Sequence, residues 1–241
     1  MLFAKINVYQ PQRTIEMNEL KIIAHIENSF TEKFGVPRQS GLADTVSRIV
    51  FEPEYRDPDA FRGIDGYSHL WLLWLFSEAK TSGFSPTVRP PRLGGNKRMG
   101  VFATRSPFRP NSIGLSSVKF ERISFDEKDS PVIYVRGADL MNGTPIIDVK
   151  PYLSYTDSHP EAVNGFALDT NEPLLAVSFP EELKMLVGEE NSRELTEILA
   201  QDPRPQYQND PKRVYSMAYG GFDVDFTVDK DVLTVKNIRK K

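Results

Sequence analysis

The sequence predicts a mainly β protein in which an antiparallel β-barrel is followed by a small α+β unit. Before residue 160 there are seven or more short runs in which apolar and polar residues alternate, and almost no helical period. Beyond residue 160 come an amphipathic helical run and three more alternating runs. Many short strands separated by turns are typical of a closed or nearly closed barrel with functional loops at its rim. We expect a barrel domain over residues 1–163 and an α+β domain over 164–241.

The strands of the predicted barrel follow from alternation and turn signals. They are residues 2–9, 20–27, 46–51, 68–76, 116–125, 132–135 and 146–149. The run 68–76 is almost continuously apolar, so it fits a strand covered on both faces or one that passes through a barrel wall. Its Trp71 and Trp74 are more often core residues than a platform for substrate. Asn142-Gly143 is a strong tight-turn signal, and Pro151 must end the following strand.

The C-terminal unit is predicted from a change of period. Residues 180–200 favour an amphipathic helix, which Gly188 and Asn191 can divide into two. Three strands are expected over 214–219, 222–228 and 232–238. Residues 202–207 predict an extended, proline-stiffened linker or loop.

Composition excludes several functional classes. The absence of cysteine rules out disulfides, zinc-thiolate sites, iron-sulfur clusters and a cysteine nucleophile. His25, His69 and His159 are far apart in sequence, so no metal is expected. No apolar run reaches 18 residues and the start lacks a secretory pattern, so we expect a cytoplasmic protein without a membrane span. The G-x-S-x-G elbow, the P-loop and the Rossmann G-x-G-x-x-G are missing.

One stretch, residues 89–119, concentrates positive charge. It holds seven basic residues and no acidic one, although the chain has a formal net charge of −3. Basic side chains interleaved with Gly and Pro suit an anionic polymer or phosphate groups. A solvated basic loop is the plainer alternative. Gly94-Gly95 followed by Asn96-Lys97 resembles a phosphate nest loosely.

Four segments, in this order, resemble one known family. They are VPRQSGL at 36–42, SHLWLLWLF at 68–76, RPPRLGGNKRMGVFATRSPFRPNSIGL at 89–115 and GTPIIDVKPY at 143–152. Together they are similar to the TsaA-like family, the TrmO-type tRNA (adenosine-37 N6)-methyltransferases. The likeness is strong over residues 20–160, and 202–207 resembles the C-terminal extension of the bacterial members.

The resemblance implies a barrel methyltransferase outside the Rossmann class, working as a homodimer with S-adenosyl-L-methionine as methyl donor. The implied substrate is N6 of threonylcarbamoyl-adenosine at position 37 of tRNA, next to the anticodon. Asn142 and Ser112 depart from the family pattern, where Asp and Pro are common. By motif position, the cofactor is lined by Arg38, Gln39, Ser40, Gly41, Phe76, Ser77, Arg105, Leu115, Asp139, Leu140, Met141, Asn142, Gly143 and Thr144.

The residue types are compatible with that chemistry. Methyl transfer from a sulfonium needs no metal and no nucleophilic side chain, because the protein orients donor and acceptor and excludes water. Asp139 and Tyr152 are candidates to face the positive sulfonium, and a turn-capping Asp and a core Tyr are equally good readings. The N6 proton needs an acceptor, for which Asp148 or a backbone carbonyl of residues 139–142 is a candidate. Asp148 and Tyr152 are therefore the candidate catalytic residues.

The basic stretch takes on a specific role under this hypothesis. Arg105 or Arg109 is expected to contact the cofactor or the modified base, because a guanidinium fork suits carboxylate and phosphate. The expected contacts to RNA, the anticodon stem-loop of tRNA, are Arg89, Arg92, Lys97, Arg98 and Arg109. A non-catalytic RNA-binding barrel is the main alternative. A nucleotide hydrolase using Gly94-Gly95 is a third.

Overall fold

The computed structural model describes residues 19–79, 83–90, 97–167, 174–204, 208 and 210–241. The run 2–9, Arg92, Gly94-Gly95 and residues 205–207 lie outside these ranges. In chain order the elements are β1 (Ala24–Glu27), β2 (Val46–Phe51), β3 (His69–Leu75), β4 (Thr87–Val88), β5 (Met99–Gly100), β6 (Ile113–Ser124), β7 (Val132–Arg136), β8 (Pro145–Pro151), α1 (Ser154–Asp157), β9 (Ala176–Ser178), α2 (Glu181–Val187), α3 (Glu189–Ala200), β10 (Tyr215–Tyr219), β11 (Phe222–Asp229) and β12 (Val232–Lys240). Short 3-10 turns lie at Pro53–Tyr55, Pro58–Phe61, Ile64–Gly66, Val101–Ala103 and Gly165–Ala167.

Six antiparallel strands close into a barrel in the order β1-β2-β7-β6-β3-β8, which confirms the predicted fold class. The run 68–76 supplies β3, and its side chains alternate between the two faces of the wall. Leu70, Leu72 and Trp74 are buried inside, whereas Leu73 points outward and is more exposed. This strand is therefore part of the barrel wall, with one face buried in the core and the other face more exposed.

The barrel interior depends on a glycine opposite a tryptophan. Trp74 pairs with Gly114 of β6 across the sheet. A Cβ atom added to Gly114 would lie 2.2 Å from Cε2 of the Trp74 indole. Since real Cβ contacts are never this short, the missing side chain of Gly114 makes room for the indole inside the barrel.

The C-terminal residues form a four-stranded sheet in the order β10-β11-β12-β9, with α2 and α3 packed against it. The predicted helix divides at Gly188, whose φ of +82° ends α2 before α3 begins. Strands β10, β11 and β12 confirm the three predicted strands. Strand β9 pairs in parallel with β12 and was not expected, because three residues are too few to show alternation.

The C-terminal sheet has a hydrophobic core that is completed by residues from the segment between β1 and β2, whereas the barrel interior forms a second core. Phe30 and Ala43, which precede β2, are buried in the same cluster as Leu195 and Phe226. The rings of Phe30 and Tyr219 meet edge to face with centroids 5.1 Å apart. Two otherwise separate sheets are thus joined by apolar packing.

A buried carboxylate connects the same two parts. Glu194 of α3 accepts a hydrogen bond from the Val46 amide at 2.8 Å and another from the Tyr219 hydroxyl at 2.6 Å. Burial, and then the contact with Glu194, raise the pKa of Tyr219. Tyr219 therefore stays protonated and donates to Glu194, which satisfies a carboxylate that would otherwise be costly to bury.

Candidate active site

A cleft of about 220 Å³ opens at the end of the barrel where β3 leaves the wall. Most of its lining comes from two segments that the cofactor prediction named, the end of β3 and the loop before β8. The lining residues are Lys33, Val36, Trp74, Leu75, Phe76, Ser77, Glu78, Ala79, Pro107, Asp139, Leu140, Met141, Asn142, Gly143 and Thr144. The structure therefore brings Phe76, Ser77 and all of residues 139–144 to one place.

The loop 139–144 is held in position by the segment that follows β1. The backbone amide of Asn142 donates to the Phe30 carbonyl at 2.8 Å, and the backbone amide of Gly143 donates to the Ile26 carbonyl of β1 at 2.8 Å. In return, the Asn28 amide donates to the Asn142 side-chain oxygen at 3.0 Å. An aspartate oxygen could accept the same bond, so Asn142 preserves this contact despite its departure from the family pattern.

A chain of hydrogen bonds runs from the barrel interior to the cleft. The Trp74 indole nitrogen donates to the Ser116 hydroxyl at 3.0 Å. That hydroxyl donates to the Asp139 carboxylate at 2.6 Å. Ser116 is 2% exposed and pairs with Leu72 across the sheet, so its side chain points into the barrel. Asp139 is thus anchored from beneath while it lines the cleft.

Asp139 has an unusual proton affinity. Burial raises the pKa of the Asp139 carboxyl above its ordinary value. The Ser116 hydroxyl, the backbone amides of Asp139 and Ser40 and the charge of Arg105 act in the opposite direction and favour the ionised form. A cleft carboxyl with an environment this specific is a candidate functional group.

The predicted cofactor residues 38–41 lie beside the cleft and do not line it in this chain. Arg105 donates to the Gln39 side-chain oxygen, and the Gly41 amide donates to the Gly137 carbonyl at 2.8 Å. Arg38 donates to the carbonyls of Asp202 and Arg204, at 3.2 Å and 3.4 Å. The segment is therefore fixed between the Asp139 region and the C-terminal domain.

Two predicted site residues lie on the outer face of the barrel. Leu115 and Asp148 both pair with Leu73, and directly opposed residues of antiparallel strands point to the same side. Leu115 is 55% exposed there, and Asp148 forms an ion pair with Lys150 at 2.8 Å. The structure does not bring either side chain to the cleft of its own chain.

The second candidate catalytic residue, Tyr152, lies at the opposite end of β3 from the cleft. Its backbone amide donates to the His69 carbonyl at 3.0 Å. Its ring packs against Trp71, with centroids 5.4 Å apart. Tyr152 therefore packs as a structural residue at this end of the barrel, and its side chain does not lie near Asp139.

Three basic residues of the described part of 89–119 lie at a short hairpin. Strands β4 and β5 form it, and Arg89, Lys97 and Arg98 are exposed around it. Arg98 donates to the Thr87 hydroxyl at 3.2 Å. Arg109 instead donates to the Thr104 carbonyl at 3.2 Å, so its guanidinium braces the loop before β6.

Two exposed aromatic rings accompany this charge, and the sequence prediction did not include them. Phe84 and Phe102 are 61% and 73% exposed, and their rings stack with centroids 6.4 Å apart. Ser112, which departs from the family pattern, stabilises the turn before β6. Its hydroxyl donates to the Pro107 carbonyl at 2.9 Å.

Ser116 and Trp74 are two further site residues whose role in the cleft sequence reasoning missed. A serine in an alternating strand gives no sign of which face it occupies until the partner strand and register are known.

Within the described ranges, no group of three or more His, Cys, Asp or Glu residues is placed to hold a metal. Nor is any helix there long and apolar enough to cross a membrane.

Comparison with known proteins places this geometry in a family. The tRNA-methyltransferase O N-terminal domain model matches residues 25–158, and the TrmO C-terminal domain model matches residues 172–241. An Escherichia coli (strain K12) protein named tRNA (adenine(37)-N6)-methyltransferase is 42% identical, over 86% of this chain and 91% of its own.

Two further relatives extend the comparison. A Pseudomonas aeruginosa protein named putative S-adenosylmethionine-dependent methyltransferase RcsF is 40% identical, over 84% of this chain and 89% of its own. A crystal structure of TrmO from P. aeruginosa has a TM-score of 0.75 at 31% identity, covering 93% of this chain and 97% of that one. These matches cover both the barrel and the C-terminal sheet, and the chain belongs to the tRNA-methyltransferase O family.

Proposed function

We propose that this protein is an S-adenosyl-L-methionine-dependent methyltransferase that modifies N6 of adenosine 37 in tRNA, on a base that already carries the threonylcarbamoyl group. The observation that carries the proposal is the Asp139 carboxyl, anchored by Ser116 in the cleft lined by the family-matched loop 139–144. Relatives named tRNA (adenine(37)-N6)-methyltransferase align over most of the chain.

The residues of the cleft fit the cofactor. A positive sulfonium is favoured by a carboxylate and by aromatic faces, and the cleft offers Asp139, Trp74 and Phe76. The backbone of 139–144 offers polar groups suited to an adenine. When bound, S-adenosyl-L-methionine supplies an electrophilic methyl group.

Asp139 is also the proton acceptor that we propose for N6. The N6 atom is conjugated with the adenine ring and is a poor nucleophile, so it must lose its proton as the new bond to carbon forms. Burial raises the pKa of Asp139 and makes its carboxylate a stronger base than an exposed aspartate. Asp148, the acceptor expected from sequence, points away from the cleft and is paired with Lys150. We therefore assign the role to Asp139.

The tRNA is proposed to bind along the β4-β5 hairpin. Exposed Lys97 and Arg98 suit backbone phosphates, and the stacked rings of Phe84 and Phe102 suit unpaired bases of an anticodon loop. Arg105, next to Asp139, suits the carboxylate of the threonylcarbamoyl group.

A homodimer belongs to the proposal as well. Leu115 matches a cofactor-lining position by resemblance, yet it is exposed on the outer face of its own barrel. A second copy of the chain is the arrangement that would bring this side chain next to a cleft. Light scattering on the purified protein tests the dimer, and Leu115→Arg should shift it toward the monomer.

The decisive experiment is mass spectrometry of tRNA nucleosides after incubation with the protein and the methyl donor. We expect a mass increase of one methyl group on threonylcarbamoyl-adenosine and none when tRNA with unmodified adenosine 37 is supplied. Methylation of the unmodified base would show that the assigned substrate is wrong. No methylation, together with no cofactor binding by calorimetry but retained tRNA binding, would support the non-catalytic RNA-binding protein.

A further inference from the structure

We infer that helix α3 of the C-terminal domain positions the cofactor segment of the barrel, and that Glu197 and Gln201 are positioning residues for cofactor binding. This inference rests on the proposed function and on the family resemblance, which implies that residues 38–41, the cofactor segment, line the cofactor. It gives the C-terminal domain a role in the active site, where the obvious alternative is a surface for tRNA.

One face of α3 holds the backbone that follows the cofactor segment. The Glu197 carboxylate accepts from the Asp44 amide at 2.6 Å, and the Gln201 side-chain amide donates to the Leu42 carbonyl at 2.9 Å. Glu194 makes the equivalent contact with the Val46 amide at 2.8 Å. Positions 194, 197 and 201 are spaced by three and four residues, so they lie on one side of the helix. Side chains along one side of α3, with Gln201 directly after it, therefore hydrogen-bond to the backbone of residues 42–46.

The opposite side of the same segment is fixed to the strand end that leads to Asp139. The Gly41 amide donates to the Gly137 carbonyl at 2.8 Å, and the Gly137 amide donates to the Thr45 carbonyl at 3.0 Å. A Cβ on Gly137 would lie 3.2 Å from Gly41, and φ at Gly137 is +77°. The segment is thus clamped between Gly137 on one side and α3 on the other.

The clamp reaches the reacting centre through Ser40. The Ser40 backbone amide favours the ionised form of the Asp139 carboxyl and acts to lower its pKa. Gln39, next to it, accepts from Arg105. A shift of residues 42–46 away from α3 would therefore displace two groups together. They are the Ser40 backbone amide and the Gln39 side-chain oxygen that accepts from Arg105. Small displacements of groups that orient a reacting atom have large effects on binding and rate.

The charge of α3 argues against an RNA-facing role for this helix. Its sequence holds Glu189, Glu190, Glu194 and Glu197 against a single basic residue, Arg193. A helix this acidic repels a polyanion. Two of the glutamates instead bind amides of the barrel, which is the use that the contacts show.

The test uses the whole 241-residue chain and four variants, one of which is the single Glu197→Ala. Glu197→Ala combined with Gln201→Met removes both contacts, Glu197→Gln keeps an acceptor for the Asp44 amide, and Arg193→Ala is the exposed control on the same helix. Calorimetry gives the dissociation constant for S-adenosyl-L-methionine, and fluorescence anisotropy gives that for tRNA. We expect the double variant to bind the cofactor about tenfold more weakly with unchanged tRNA affinity, since two hydrogen bonds of ordinary strength are lost. Glu197→Gln and Arg193→Ala should both bind like wild type.

Three results would overturn the inference. Unchanged cofactor affinity in a folded double variant would show that α3 does not act on the site. Weaker tRNA binding by Arg193→Ala would make the helix an RNA surface. Thermal unfolding measures the folded fraction of each variant, and the single Glu197→Ala variant provides a milder change. If cofactor binding falls only in proportion to the folded fraction, the role of α3 is structural. If wild type itself binds no cofactor, the proposed function fails and the inference fails with it, whereas a wild type that binds and a folded double variant that binds equally well overturn the inference alone.

Discussion

The hydroxyl of Ser116 lies 2.6 Å from the carboxylate of Asp139 and links it to the indole of Trp74, which donates to the same hydroxyl at 3.0 Å. Burial raises the pKa of this carboxyl, and the Ser116 donor acts in the opposite direction because it favours the ionised form. The barrel interior thus adjusts the proton affinity of a group in the cleft.

Replacing Ser116 with Ala should raise the pKa of Asp139 further, because a hydrogen bond to the ionised form is lost. The acid limb of the pH profile of kcat/KM should therefore move to higher pH. The buried Trp74 indole also loses its acceptor, which costs about 1–3 kcal/mol of stability.

The matched control is Ser117→Ala on the same strand, because Ser117 is the next residue and points to the other face. It should leave the acid limb in place. An unshifted limb in Ser116→Ala would separate Asp139 from the pH dependence and remove the proposed role of Ser116.

Asp139→Asn should lower turnover by about 10²- to 10⁴-fold, the usual contribution of a general base. Asp148→Asn is the comparison that decides between the two carboxylates, and we expect it to change turnover little because Asp148 faces away from the cleft. The measurement is methylation of threonylcarbamoylated tRNA under single-turnover conditions. A larger loss in Asp148→Asn would return the proton acceptor to the position expected from sequence.

Asp139→Asn should also change the pH dependence of stability. Because the pKa of Asp139 is raised on folding, the folded state holds the proton more tightly than the unfolded state. Stability from this group is present at low pH and is lost as pH rises through the interval between the ordinary and the raised pKa. Urea denaturation should show the wild type losing stability relative to Asp139→Asn across that interval. The opposite trend would contradict a raised pKa.

Gly114→Ala should destabilise the barrel, because the new Cβ would lie 2.2 Å from the Trp74 indole. Overpacking of this kind costs roughly 1–3 kcal/mol, measured here by urea denaturation. Gly100→Ala is the control, since an added Cβ there meets nothing within 4 Å. Equal stabilities for the two variants would mean that the indole is not packed against β6.

Lys97→Ala combined with Arg98→Ala should weaken tRNA binding and reduce the slope of log affinity against log salt by about 1–2, as expected for lost phosphate contacts. Lys230→Ala with Lys236→Ala removes the same charge from exposed positions of the C-terminal sheet. If this control pair reduced the slope and the first pair did not, the tRNA would lie on the C-terminal domain.

Much of the fold could be predicted from the sequence, because alternation and turn residues are local signals. The barrel strands, the division of the helix at Gly188 and the three final strands all follow from such signals. Strand β1 begins at Ala24, later than expected, and β6 begins at Ile113, earlier than expected. Strand ends depend on which partner residues are available for pairing, and this is not a local property.

The site was less predictable because it depends on register. A period of two would place Asp148 on the same face as Ile146, inside the barrel. A register shift between β3 and β8 instead pairs Asp148 with Leu73 and Ile146 with Trp74, so the two point to opposite faces. For the same reason Ser116 could not be recognised as the partner of Asp139, and the role of Asp148 stays a prediction that the paired variants test.

The segment between β1 and β2 couples the folding of the two parts of the molecule. Phe30 is 1% exposed and lies against Tyr219, and Ala43 is buried in the same cluster. A chain cut after the barrel would leave these apolar surfaces facing water, and the isolated fragment should aggregate or lose its native loop conformations. The barrel has a core of its own, but the interior of the C-terminal part is completed by Phe30 and Ala43, so heating should melt the described barrel and sheet together in a single cooperative transition.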